Sequence, residues 1–69
     1  MAIELSRTFD LQHGAVIVNI QDAFGNTSYH TLYVAGVPDV NAAVAQLLID
    51  TDTQAAAIRS AMIAAGWTP

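Results

Sequence analysis

The chain has 69 residues, 54% of them hydrophobic, with only two basic and six acidic side chains, a net charge of −4, no lysine and no cysteine. Arg7 and Arg59 form no basic stripe able to displace counterions, which argues against nucleic acid and anionic membrane as partners. The uninterrupted apolar runs fall far short of the ~20 residues needed to cross a bilayer, no disulfide can form, and two histidines make a poor structural zinc site.

From Ile3 to Leu11, the apolar Ile3, Leu5, Phe9 and Leu11 alternate with the polar Glu4, Ser6, Thr8 and Asp10, the period-two signature of a half-buried strand. Gln12, His13 and Gly14 interrupt it, and β-branched residues then predict a second strand from Val16 to Ile20. Phe24 to Thr27 supply turn chemistry before a third strand over Ser28–Ala35. Placing Val18 opposite Leu32, Val16 opposite Val34 and Ile20 opposite His30 makes one face aliphatic. The other face then carries Ile17, Asn19, Gln21, Tyr29, Thr31 and Tyr33, and a slip of one residue would mix the two. With Phe9 beside Val18, Leu5, Phe9 and Leu11 join the aliphatic face. Arg7 joins it too, which requires either a stem laid along the apolar surface or a bulge that turns the residue outward.

Beyond Gly36 the period changes. Asp39 is a candidate N-cap, and Val40, Val44, Leu47 and Leu48 share one helical stripe. Asp50 to Thr53 are four poor helix formers, and Thr51 with Gln54 has capping-box spacing, so the helix is expected to break and restart there. A single kinked helix over residues 40–65 is the competing reading. Ala55, Ile58, Met62 and Ala65 line one face of the second helix, and Gly66 suits a left-handed terminator before Trp67. Nine of the 13 alanines lie in this half, which keeps the helices slim. The fold expected is a single α+β domain over residues 1–69: a three-stranded antiparallel β-meander over 1–36, then a pair of short α-helices over 37–69 packed on one sheet face.

No constellation here carries chemistry. Asp50 and Asp52 resemble the opening of a calcium loop, but Ala55 and Ala61 stand where its glycine and closing glutamate belong, so a helix cap is the better reading. Ser28, His30 and Asp22 are the residue types of a nucleophilic triad without a glycine-flanked nucleophile or an oxyanion hole, and His13 and His30 should lie apart. Asn26-Thr27-Ser28 matches a glycosylation acceptor, but with no basic, hydrophobic leader expected the match is read as chance. The expectation is therefore a non-enzymatic chain with no catalytic, cofactor or metal site.

The aromatics are more telling. Tyr29 and Tyr33 stand on the outer sheet face with Ile17 near Tyr33, Phe24 sits at a turn tip, and Trp67 follows the last helix. These five residues, Ile17, Phe24, Tyr29, Tyr33 and Trp67, are left over once a small core is filled. They form the candidate partner interface, since aromatic side chains are enriched where proteins meet.

The strand meander, the Ala-rich end from Ala55 to Ala65 and the Gly66–Trp67 close together resemble the small virion-associated proteins of tailed bacteriophages, the accessory components of capsids, necks and tails. The resemblance implies a structural protein of the virion, such as a capsid cement or decoration protein, assembled in the host cytoplasm. It would contact a major virion protein or copies of itself, as a homo-oligomer or a member of a symmetric assembly whose weak contacts sum. The alternative expectation is a small acidic regulatory or inhibitory protein, of antitoxin or anti-restriction type, that binds one basic protein through its carboxylates.

Overall fold

Antiparallel pairing of β-favouring segments builds the sheet. In the computed structural model, which describes all residues Met1–Pro69, strand β1 spans Ile3–Asp10, β2 spans Ala15–Gln21 and β3 spans Thr27–Tyr33, in the spatial order β1-β2-β3. The expected meander is present. A 3-10 turn over Val34–Gly36 is tied back to the first hairpin by Val34 N–H donating to Gly14 O (2.9 Å), and helix α1 follows over Val40–Ala64.

The register departs from expectation by two residues in both hairpins. Val18 lies opposite His30 rather than Leu32, Val16 opposite Leu32, and Ile20 opposite Ser28; Phe9 lies opposite Val16, and Arg7 opposite Val18. The second turn explains its own shift. Asp22 N–H donates to Asn26 O (2.9 Å), leaving Ala23, Phe24 and Gly25 as a three-residue loop with Gly25 at φ 87°, the geometry of a turn followed by a left-handed residue. The Asp22 carboxylate fixes that loop by accepting from Phe24 N–H (2.8 Å) and Asn26 N–H (3.0 Å). A shift of two preserves face parity, so Val16, Val18 and Ile20 are fully buried and the outer face is composed as expected.

Strand β1 carries a bulge between Glu4 and Ser6. It leaves Leu5 without a partner and brings Glu4 and Arg7 onto the same side, where Arg7 keeps its inward register opposite Val18 and its stem lies half-buried. Phe9 and Leu11 do not join the core: they are 71% and 95% exposed, because they lie beyond the point where the helix begins to cover the sheet.

One continuous 25-residue helix replaces the expected pair. Three of the four residues of the expected break have side-chain partners within the helix or beyond it. Asp50 Oδ1 accepts from Gln46 Nε2 (2.9 Å), Thr53 Oγ1 donates to Ile49 O (3.1 Å), and Asp52 Oδ2 accepts from the buried Ala2 N–H (2.7 Å). Tertiary contact thus overrides local propensity, which penalises such residues by only about 0.5 kcal/mol each. The ends follow the sequence signals. Asp39 Oδ1 accepts from Ala42 N–H (3.1 Å). At the other end Gly66 adopts φ 107°, with Gly66 N–H donating to Ile63 O (3.0 Å) and Trp67 N–H to Met62 O (2.9 Å), the paired bonds of a Schellman motif.

The core is small: Ala2, Val16, Val18, Ile20 and Val44, with Leu32, Val40, Leu47 and Leu48 packed against it. Arg7 meets Asn41 at the start of α1, Ala2 meets Asp52 beyond its middle, and Phe24 meets Arg59 near its end, so helix and sheet are offset along their common direction. At 1.5 Å per residue the helix is about 37 Å long against about 25 Å for a strand of this size. It overhangs the sheet, and the molecule measures 44 × 17 × 17 Å. Its radius of gyration of 14.0 Å exceeds the ~11 Å usual for a chain of this length, and its surface of 4755 Å² exceeds the ~4,200 Å² usual for this mass.

Candidate functional site

The overhang creates a site. Phe24 is presented at the tip of the three-residue loop, Arg59 comes from α1, and the Gly66 reversal brings Trp67 back along the helix end. The Arg59 guanidinium carbon lies 4.8 Å from the centroid of the Phe24 ring and 5.3 Å from that of Trp67, so both rings provide cation–π contacts to one cation. Around them opens a cleft of about 680 Å³, lined by Asp22, Phe24, Ile58, Arg59, Met62 and Trp67 among others. Ala55 also lines it.

The two arginines differ sharply in electrostatics. Arg7 Nε donates to Glu4 Oε2 (2.7 Å), Nη2 to Glu4 Oε1 (3.0 Å) and Nη1 to Asn41 Oδ1 (2.8 Å). The hydrogen bonds from Arg7 hold the Glu4 carboxyl below its ordinary range despite partial desolvation, and Glu4 in turn raises Arg7. Arg59 has no carboxylate within ion-pair distance and no hydrogen-bond partner. The acidic side chain in the cleft wall, Asp22, is committed to its own loop. Desolvation pushes its pKa up, but the amides of Phe24, Asn26 and Gly25 and the Asn26 side chain outweigh that and leave it lowered. The remaining acids are also engaged: Asp10 with His13 (2.7 Å), Asp39 as N-cap, Asp50 with Gln46 and Asp52 with Ala2.

The five interface candidates separate into two patches. Ile17 lies opposite Thr31, between Tyr29 and Tyr33 on the outer sheet face, and the tyrosines are 74% and 63% exposed. Phe24 and Trp67 meet at Arg59 instead. Arg59 is not among the five interface candidates, yet its signal is local: positions three and four residues away on either side are Ala55, Ala56, Met62 and Ile63, so the helix offers it no acid. Arg7, by contrast, has Glu4 three residues before it.

Ser28 Oγ and His30 Nε2 lie 2.8 Å apart on the inner face of β3, but Asp22 is held by its loop amides and completes no triad with them. No group of three or more His, Cys, Asp or Glu side chains is placed to hold a metal, and no helix is long and apolar enough to cross a membrane. The chain matches no protein-family model, and searches of curated proteins and of solved structures find no match.

Proposed function

We propose that this chain is a non-enzymatic structural protein of a phage particle, a capsid cement or decoration protein or another virion accessory, assembled in the host cytoplasm. It acts through many weak contacts to a major virion protein or to copies of itself. The observation that carries this reading is the apolar surplus left outside its own fold. Only six residues are buried, while fourteen large hydrophobic side chains are exposed. Within that surplus the five interface candidates form two separate patches, the Tyr29–Tyr33 face and the Phe24–Trp67 cleft, which lets one copy bridge two neighbours, as a lattice component must. Assignment to a virion rests on the resemblance of the meander, the Ala-rich helix end and the Gly66–Trp67 close. An acidic inhibitor has less support, because every carboxylate accepts at least one hydrogen bond within the chain while the exposed apolar side chains are what the fold leaves over.

Mass spectrometry of purified particles tests membership directly, and light scattering on the isolated chain tests self-association. The reading expects the chain in the particle at a fixed ratio to a major protein. Absence from particles, together with a reversible monomer of high stability, would overturn it.

A further inference from the structure

We infer that the Phe24–Arg59–Trp67 cleft captures a carboxylate side chain set among apolar residues on a partner protein, and that the partner is not a second copy of this chain. The inference deepens the proposed interaction role and rests on that reading for the identity of the partner, but its chemistry is independent of it.

A guanidinium carries its five N–H donors in its plane. A guanidinium held against aromatic rings keeps the N–H donors that do not point into those rings, and its donor edge matches the two oxygens of a carboxylate. Arg59 has rings at 4.8 and 5.3 Å and no acceptor, so its donors await one. The neighbouring Ile58 and Met62, each about half exposed, supply the apolar floor on which flanking residues of a partner segment would pack. A cation among aromatic and aliphatic side chains is also the composition that concentrates binding energy in interfaces. Charge complementarity decides the occupant. A phosphate polymer would meet a chain of net charge −4 with a single cation at this site. A second copy would have to bring an acid set among exposed apolar residues, and the two that are, Glu4 between Ile3 and Leu5 and Asp10 between Phe9 and Leu11, have both oxygens bonded already, to Arg7 and to His13.

The test is an NMR titration of the full chain with a capped tripeptide carrying glutamate between two leucines, its glutamine counterpart, and inorganic phosphate. The glutamate peptide should shift the Arg59 Nε–H and the Trp67 indole N–H, and bind about tenfold more tightly than the glutamine peptide, the difference expected of a charge-assisted hydrogen bond. Arg59→Lys, with its fold checked by circular dichroism, should lose most of that preference, because an ammonium offers no planar fork. Equal response to both peptides, a stronger response to phosphate, or shifts confined to the Tyr29–Tyr33 face would overturn the inference. So would shifts in the cleft on raising protein concentration alone, which would assign it to a second copy. Particle membership is read separately by mass spectrometry, so failure of the virion reading and failure of the carboxylate site are distinct outcomes.

Discussion

Arg7 and Arg59 are the only fixed cations of the chain, and they mark its two ends. At the Arg7 end, sheet and helix overlap: the guanidinium is gripped by Glu4 and Asn41, and its stem lies over the strand that carries Val18. At the Arg59 end the helix has run past the sheet, and the same side chain has two rings and no acceptor. The contrast shows that what an arginine does in a small domain depends on the layer beneath it. Where two layers close, charge is absorbed into structure; where one layer continues alone, charge stays available.

Substitutions at the two ends should break or sharpen this contrast. The largest effect is expected for Ile20→Ala, which empties a fully buried site in the overlapped region and should cost about 2–5 kcal/mol in urea unfolding. Met62→Ala on the overhang should cost well under half as much, and equal costs would mean that the helix end is packed as tightly as the core. Next comes Asp52→Ala, which strands the buried Ala2 N–H and should cost about 1–3 kcal/mol, with Asp52→Asn recovering part of it. Gly66→Ala meets no steric obstacle but forces a Cβ onto φ 107°, so about 1–2 kcal/mol of strain is expected, read as loosening of Trp67 in its fluorescence.

The smallest effect is the pH dependence. Glu4 in the folded chain lies below its ordinary value of 4.5, so its contribution is fully present above that value and is lost as pH falls through the lower folded value. Asp22 acts in the same direction. Denaturation midpoints should therefore fall on acidification below about pH 4.5, and less steeply in Glu4→Gln. Arg59→Gln should leave that slope unchanged.

Much of this could be read before any coordinates. Strand positions, the two faces of the sheet, the Asp39 cap and the Gly66 terminator all follow from signals within a few residues of one another. The misses have two causes, one distant contact and one side-chain bond inside a turn. The break expected at Asp50–Thr53 rests on four poor helix formers and the capping-box spacing of Thr51 and Gln54, whereas Asp52 finds its partner in Ala2, fifty positions away. The two-residue shift in the second hairpin arose because the Asp22 carboxylate closes the loop around Phe24, a side-chain bond that strand alternation does not encode. Of the candidate site, Phe24 and Trp67 were visible as surplus aromatics. Their meeting across Arg59 depends on the helix staying whole, since a break at residue 50 would have sent its second half elsewhere.

The offset between helix and sheet also sets a gradient of protection along α1. Amides around Val44 to Leu48 sit over the buried strand and open only when much of the domain opens, whereas those beyond Arg59 can fray from the free end with little else disturbed. Hydrogen exchange should therefore quicken from Val44 toward Ala64. A ligand seated at Trp67 would slow that last stretch first, so the terminal turns act as a built-in reporter of occupancy.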